Sequence, residues 1–246
     1  MTVVFTLVLA RVAGLFVGAP MFSRTTIPPR FRWLLTAGVA ASVLPAADPA
    51  MAPRAIDGVI VGMIGEFAVG MAIGLLARFL LAAFQLAGAI VSFQMGFAVA
   101  NAFDPDSGRS TPILSTLHLQ LVSVLFLLLD GHHILIRGLA SSYESFPLGG
   151  PIASDVLAQT MFASTRSMYE LGARVAGPVS GLMLLINATV GFLNRVVPQL
   201  SIFSIGFPMT VLSGLVAVTL SIPEVVSFFM HALESFRSDL AVLTQG

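Results

Sequence analysis

The chain has 246 residues, of which 57% are hydrophobic and only 10% are charged, whereas a typical soluble domain has about 25% charged residues. Its mean hydropathy is +0.95, which excludes a disordered chain, disfavours a soluble enzyme and predicts contact with lipid, with protein partners, or with both. Twelve arginines balance twelve acidic residues without any lysine, so no nucleic-acid partner is expected, and the lack of cysteine excludes disulfides and thiolate metal sites.

The first half of the chain consists of helix-length apolar stretches. In a secretory signal, positive charges would precede the apolar run, whereas Arg11 lies inside it. Residues 1–19 are therefore predicted to form a retained membrane helix. A turn at residues 23–32 and a short apolar helix at 33–44 follow. The long apolar region 56–103 would extend roughly 70 Å as one straight helix, so we expect it to bend, to form a hairpin or to leave the bilayer.

The second half continues the same pattern. Pro178 follows Gly177 and predicts a weak point in the long helical region 155–197. The sequence from Ser221 to Glu224 fits a capping box that would begin a separate last helix, ending near residue 244. Further helices are predicted at residues 113–129, 134–140 and 202–220. The total is seven to nine helices in one membrane domain over residues 1–246, without strands, because an open strand edge is too costly in lipid.

Seven charged side chains interrupt these apolar helices. An isolated charge that faces hydrocarbon costs about 2.5–3.5 kcal/mol, so several of them need partners or water. Two interpretations remain open: contacts with carbonyl groups or neighbouring subunits, and a polar pathway or proton relay. A relay needs acids in series, and only Glu66 lies deep in an apolar run. The seven are Arg11, Glu66, Arg78, Asp130, Arg137, Arg174 and Arg195.

Four glycine pairs have the G-x-x-x-G spacing that lets helix backbones touch. We predict that most are packing faces, although glycine is frequent enough for some pairs to occur by chance. The pattern does not say whether the neighbouring helix belongs to the same chain or to another subunit. The pairs are Gly14/Gly18, Gly58/Gly62, Gly70/Gly74 and Gly177/Gly181.

Two short segments suggest sites. Gln94 and Asn101 interrupt apolar sequence just before a predicted turn, which indicates either a helix end with a satisfied amide or a flexible apolar loop at a pore. The sequence Asp130-Gly131-His132-His133 offers metal ligands or a base. Because Asp-Gly is typical of a turn and adjacent histidines are expected to point apart on a helix, a structural cap is favoured. No metal, cofactor or catalytic residue is expected.

Residues 193–208, with the sequence LNRVVPQLSIFSIGFP, resemble the signature of the FliR family, the flagellar type III export-gate subunit. After Pro-Gln-Leu the injectisome counterpart, SctT, usually has Asn, so Ser201 and residues 206–208 favour the flagellar branch. Further stretches are similar to the family in the same order. They are Arg11 with Ala19-Pro20 and the Ile27-Pro28 turn, Gln94-Met95-Gly96 before Asp104-Pro105, and Gly131-His132-His133 before Phe146-Pro147-Leu148-Gly149.

The resemblance implies an all-α protein that is a non-enzymatic subunit of the export gate, in the bacterial inner membrane at the flagellar basal body. Its implied partners are FliP and FliQ in one helical pore-forming assembly, FlhB and FlhA, membrane lipid, and the unfolded flagellar proteins that are exported. Charges in apolar helices would then face other subunits. A loop of the family's subunit helps to plug the pore, and here that loop is residues 95–110. The implied plug residues are Met95, Gly96, Phe97, Asn101, Phe103, Asp104 and Pro105, and the implied subunit contacts are Arg195, Pro198, Gln199, Gly206 and Pro208.

Two positions depart from the family pattern, in which Glu often stands at Ala89 and Asn at Asp130, so charge-based roles there do not carry over. Two alternatives of other classes remain open. A stand-alone secondary transporter would show inverted repeats with matched broken helices. An intramembrane enzyme would need a converging catalytic pair, for which only His118 with Ser115 or Ser123 offers a start.

Overall fold

The computed structural model describes residues 1–20, 28–53, 55–97, 112–150, 154–196 and 206–245. Six of the predicted site residues lie outside these ranges, and their roles stay predictions. They are Asn101, Phe103, Asp104, Pro105, Pro198 and Gln199.

The described residues form seven α-helices and two short 3-10 turns, without a strand, so the all-α prediction is confirmed. Each of the turns, Leu44–Ala46 and Pro49–Met51, contains a proline. The helices are α1 (Thr2–Gly18), α2 (Pro29–Val43), α3 (Ile56–Gln94), α4 (Ile113–Leu128), α5 (Gly131–Ser145), α6 (Ser154–Val196) and α7 (Phe207–Gln245).

Three helices are much longer than a bilayer requires. Helices α3 and α7 have 39 residues each and α6 has 43, which corresponds to about 58–65 Å at 1.5 Å per residue. The apolar region that begins at Ile56 contains no hairpin before α3 ends at Gln94. Since the hydrocarbon core is about 30 Å thick, these helices extend well beyond the length of one span.

The predicted start of a separate last helix at residues 221–224 is wrong, because α7 continues through Pro223. Helix α6 also continues through Pro178, in agreement with the predicted helical region 155–197. The Ser221 hydroxyl donates to the carbonyl oxygen of Val218 at 2.9 Å within the helix, so it does not cap a new one. A proline removes one intrahelical hydrogen bond, and apolar helices tolerate this loss because the remaining backbone groups have no better partners in lipid.

Among the described residues, three helices are long and apolar enough to cross a membrane: Ile56–Gln94, Asp155–Val196 and Phe207–Ala241. Helices α4 and α5 give a fourth span if they are taken together as one bent pair, with 66° between them. Helix α1 is apolar but has 17 residues, the lower end of the usual range for a span. The protein is therefore an all-α membrane protein, and the membrane role of α1 stays a prediction.

The chain divides into two compact units. The first comprises Met1–Leu80, Phe126–Arg166 and Ala232–Gly246, and the second comprises Leu81–Leu125 and Ser167–His231. The prediction of one domain over the whole chain stays a prediction.

In the first unit, α1 and α3 pack through two glycine pairs that face each other, Gly14/Gly18 and Gly70/Gly74. A Cβ atom added at any of the four positions would collide with a main-chain oxygen of the facing helix; at Gly74 it would lie 2.5 Å from the carbonyl oxygen of Leu15. The backbones therefore touch, as the spacing predicts, and the neighbouring helix belongs to the same chain.

The other two glycine pairs differ from each other. A Cβ at Gly62 would meet Leu7 at 3.3 Å and one at Gly58 would meet Pro53 at 3.1 Å, which are tight side-chain contacts. Gly177 and Gly181, on α6, have nothing within 4 Å in the part of the chain that the structure describes. The spacing alone does not distinguish a glycine face that is used within the chain from one that is left open.

The second unit has its own aromatic contact. The rings of Phe84, on α3, and Phe229, on α7, are fully buried and meet edge to face, with centroids 5.5 Å apart. Gly88 brings α3 close to α4, because a Cβ there would lie 2.6 Å from the carbonyl oxygen of Leu114. This packing holds the C-terminal end of α3, where the predicted plug begins.

Candidate functional site

The last turn of α3 leads directly into the predicted plug, of which Met95, Gly96 and Phe97 are described. The Met95 amide donates to the carbonyl oxygen of Val91 at 3.0 Å, and the Gly96 amide donates to that of Phe93 at 3.1 Å. Gly96 has a φ of +83°, a left-handed conformation that side-chain-bearing residues rarely adopt. The glycine thus ends the helix and turns the chain toward the predicted plug.

Met95 is fixed at the base of this segment. Its side chain has 0% exposure and lies against Gly214 of α7, where an added Cβ would be 2.6 Å from the Met95 Cγ atom. The space that Met95 occupies therefore exists only because residue 214 has no side chain. Gly214 was missed at the sequence level, since a single glycine in an apolar run carries no signal.

Two further residues hold the end of α3. The Asn187 side-chain amide, on α6, donates to the main-chain carbonyl of Gln94 at 3.1 Å, which satisfies one of the unpaired carbonyls at a helix C-terminus. Phe207, at the start of α7, lies 3.6 Å from the position of a Cβ on Gly96. The side-chain oxygen of Gln94 is buried without a hydrogen-bond partner among the described residues. At Gln94, therefore, the main-chain carbonyl is hydrogen-bonded but the side-chain oxygen is not.

The described residues of the family signature, which spans residues 193–208, differ in their exposure. Gly206 is buried, and a Cβ there would lie 3.0 Å from a methyl group of Val190. Arg195 in the last turn of α6 and Pro208 in the first turn of α7 are exposed. Arg195 has no hydrogen bond or ion pair within the described ranges, which leaves its guanidinium available to a partner. The assignment of these three residues to subunit contacts stays a prediction.

A second cluster, in the first unit, is built around Arg11 of α1 and Glu66 of α3. Their side chains are 1% and 3% exposed, and the Arg11 Nε atom lies 2.5 Å from the Glu66 Oε2 atom. The other guanidinium nitrogens donate to the Ser142 hydroxyl at 2.9 Å and to the Phe146 carbonyl oxygen at 2.8 Å. Every nitrogen of this buried cation therefore has an acceptor.

The acid of the pair is satisfied as well. The Gly149 amide donates to the Glu66 Oε1 atom at 2.9 Å, and the Arg11 guanidinium lies 3.8 Å from the centroid of the Tyr143 ring, which stabilises the cation further. The expectation that charges in apolar helices face other subunits is wrong for Arg11 and Glu66, because their partners belong to the same chain.

The glycine contact explains why this ion pair forms. Gly70 lies against the main chain of Arg11, so α1 and α3 are close enough for the Arg11 side chain to reach Glu66, one turn away on the facing helix. Two stretches that carry the family resemblance, Arg11 and Phe146-Pro147-Leu148-Gly149, also meet here. Sequence reasoning named both charges but not their pairing; opposite charges on two apolar helices that share glycine faces were the available signal.

Three other arginines on apolar helices lack such partners. Arg78, Arg137 and Arg174 are exposed, and within the described ranges none of them makes a hydrogen bond or an ion pair. For these three side chains, contact with a neighbouring subunit stays a prediction.

The α4–α5 bend brings together the acid and histidines that the sequence singled out. Asp130 has a φ of +56°, and Gly131 leaves room for the Phe126 ring, which would lie 2.5 Å from an added Cβ. The predicted Asp-Gly turn is confirmed, and Asp130 occupies the predicted cap position at the start of α5, where its main-chain carbonyl accepts from the His133 and Ile134 amides while its carboxylate makes no capping hydrogen bond. Its Oδ1 atom instead lies 3.0 Å from His133 Nδ1.

The two adjacent histidines do not point apart. The ring centroids of His132 and His133 are 4.2 Å apart, with a 34° angle between the planes. Successive Cβ atoms on a helix differ in direction by about 100°, but rotation about the side-chain bonds brings the rings together. The bend therefore holds two imidazoles and a carboxylate in one cluster.

The residues proposed for an intramembrane enzyme do not converge. His118 Nδ1 donates to the Leu114 carbonyl oxygen at 2.9 Å, and the Ser115 hydroxyl donates to that of Gln85, also at 2.9 Å. The Ser123 hydroxyl donates to the Leu119 carbonyl oxygen. In the described structure each side chain is engaged with the backbone rather than with another catalytic group.

Comparison with known proteins gives one consistent result. Residues 2–236 match the family described as bacterial export proteins, family 1. The chain is 32% identical to the flagellar biosynthetic protein FliR of Escherichia coli strain K12, over 95% of this chain and 89% of the relative. It is 34% identical to the FliR protein of Pectobacterium carotovorum, over 74% and 70%, and 27% identical to that of Bacillus subtilis strain 168, over 97% and 95%.

Proposed function

Since this chain belongs to the bacterial export proteins, family 1, and is a component of flagellar protein export, we propose that it is a non-catalytic core subunit of the export gate. In this role it helps to form the pore through which unfolded flagellar proteins leave the cell, and it helps to close that pore. The match to the family over residues 2–236 is the observation that carries the proposal.

The exposed charges support a role inside a larger assembly. Arg78 and Arg174 lie on helices that are long and apolar enough to span a membrane. An arginine that faces hydrocarbon is costly, whereas one that faces an acidic or carbonyl group of another subunit is stabilised. We infer that FliP and FliQ cover these faces, with FlhB and FlhA as further partners, in the bacterial inner membrane at the flagellar basal body.

The exposed apolar surface also supports a role inside a larger assembly. Only 22% of the most apolar window of α6 and 17% of that of α7 is buried within the chain. Gly177 and Gly181 of α6 are also open, and small residues at this spacing suit close helix contact better than contact with lipid chains. Both helices therefore retain large surfaces for other subunits and for lipid.

The geometry at the end of α3 supports the plug. Met95 is held against Gly214, and Asn187 holds the carbonyl group of Gln94, so the segment that follows begins from a fixed point. Residues 95–110 would close the pore from this base, with apolar side chains that pack together and separate when a substrate passes.

The proposal is tested by expression of the full chain with and without FliP and FliQ. We expect a stable complex in detergent only when the partners are present, and loss of flagellar assembly when the chain is deleted from a flagellated bacterium. A chain that is monodisperse and stable alone, and that transports a solute in liposomes, would instead establish a stand-alone transporter.

A further inference from the structure

We propose that the α4–α5 bend binds one divalent transition-metal ion of the zinc type through Asp130, His132 and His133. Each of these residues offers one ligand atom, and the three atoms lie within 4.8 Å of one another. None of these three residues is assigned to the plug or to the Arg11–Glu66 cluster, and the proposal does not depend on the proposed function.

The distances suit a metal centre. Zinc binds histidine nitrogen and carboxylate oxygen at about 2.0–2.2 Å, so neighbouring ligand atoms of one ion lie roughly 3–3.5 Å apart. Asp130 Oδ1 and His133 Nδ1 are already 3.0 Å apart. Their side chains are 69% and 58% exposed, so both can rotate toward His132 without repacking of the core.

The chemistry of the donors selects the class of ion. Two imidazoles and one carboxylate suit zinc, nickel, copper or ferrous iron, whereas calcium and magnesium prefer oxygen ligands. Three protein ligands leave at least one coordination position for water or for a group of another molecule, which the exposure of His133 and Asp130 permits.

One local feature lacks another explanation within the described residues. The Nδ1 atom of His132 is buried without a hydrogen-bond partner, so no described group holds that ring in one tautomer. The Asp130 carboxylate makes no capping bond and lies 3.0 Å from His133 Nδ1, a member of the same ligand set. Coordination would orient the His132 imidazole and join the other two side chains to the same ion.

The site would act on the bend itself. Asp130 lies in the left-handed turn and both histidines lie in the first turn of α5, so one ion would join the turn to the start of the helix. A ligand that binds only the folded state raises stability in proportion to the logarithm of its concentration over its Kd. Metal is therefore expected to raise the melting temperature of the protein.

The test uses the full chain in detergent, together with any subunits that co-purify. The protein is purified through an affinity tag that contains no histidine, and bound metal is removed with a chelator. Cobalt(II) is titrated and followed by its visible absorption, and zinc is then used to displace it. We expect one saturable equivalent per chain, lost or weakened at least about 100-fold in His132→Ala, His133→Ala and Asp130→Asn, because outer-shell partners alone contribute about 10–100-fold.

The matched control is His231→Ala. His231 is an exposed histidine on α7 whose Nδ1 atom is bonded to the Ser227 carbonyl oxygen, and its removal is expected to leave the titration unchanged. Equal binding by the wild type and all three ligand variants would overturn the proposal. If the variants do not fold, the titration of the wild type tests the proposal by itself. The absence of a saturable site with a Kd below about 10 μM would then overturn the proposal.

Discussion

Arg11 and Glu66 lie 55 residues apart in the chain and form an ion pair that is almost completely buried between α1 and α3. The pair is connected to α5 and the loop after it through Ser142, Phe146 and Gly149. Two charges that would be costly in lipid thus join three segments of the first unit.

Removal of either charge is expected to be strongly destabilising. Arg11→Ala leaves Glu66 buried without its cation, and a broken buried pair costs about 3–5 kcal/mol. Arg11→Met combined with Glu66→Leu, which removes both charges, is expected to cost less than either single variant. The melting temperature in detergent measures the effect, with the exposed Arg137→Ala as the control that should change it little. Equal destabilisation by Arg11→Ala and Arg137→Ala would contradict the role of the pair.

The α1–α3 contact should be intolerant of a single methyl group. Gly70→Ala places a Cβ against the main chain of Arg11, and overpacking of this kind costs about 1–3 kcal/mol. Gly38→Ala is the matched control, because residue 38 has nothing within 4 Å and lies on a helix. Alanine there is expected to be neutral or stabilising. The two variants are compared by protein level in the membrane and by melting temperature.

Gly214→Ala is expected to displace Met95 and loosen the base of the predicted plug. An added Cβ at residue 214 would lie 2.6 Å from Met95 Cγ, so the methionine must leave its position. Met95→Ala in the same chain removes the clash and should restore part of the lost stability, with a coupling energy of about 0.5–3 kcal/mol. Ion leak through membranes that contain the assembled complex gives the functional measure. Strictly additive effects of the two substitutions would show that the contact is unimportant.

Deletion of residues 96–102 is expected to make the membrane leaky to small ions while the complex still assembles. The deletion shortens the predicted plug but keeps Met95, which packs against α7. Conductance or ion uptake is measured on vesicles with equal amounts of assembled complex. An unchanged leak in an assembled complex would remove the plug assignment and leave the rest of the proposed function intact.

Arg195→Ala is expected to weaken co-purification with FliP and FliQ without lowering the stability of the chain. The side chain is exposed in the last turn of α6 and has no partner within the described ranges, so its loss removes nothing that holds this chain together. Arg237→Ala, an exposed arginine on α7, serves as the control and should co-purify normally. Equal recovery of partners with both variants would limit Arg195 to a local role at the helix end.

The parts of the site that sequence reasoning reached were those with local signals. Gly96 was implied by the resemblance of Gln94-Met95-Gly96 to a stretch of the family, and the structure places it in the left-handed conformation that ends α3. Arg11 and Glu66 were selected because they are charges in apolar runs. Gly214 and Asn187 were missed, since their importance arises only from contact with the end of α3, and one glycine or asparagine in a long helix has no distinguishing pattern.

The amino-acid sequence by itself determined the helical class, the membrane environment and the family, because composition, the length of apolar runs and the order of short motifs are properties of the chain alone. Tertiary structure decided that α6 and α7 continue through their prolines, that Gly14/Gly18 faces Gly70/Gly74 while Gly177/Gly181 stays open, and that Arg11 pairs with Glu66. The reason is physical: such contacts depend on which helices lie side by side and on the rotamers of their side chains, and residues far apart in the chain acquire a common environment only after the helices have packed.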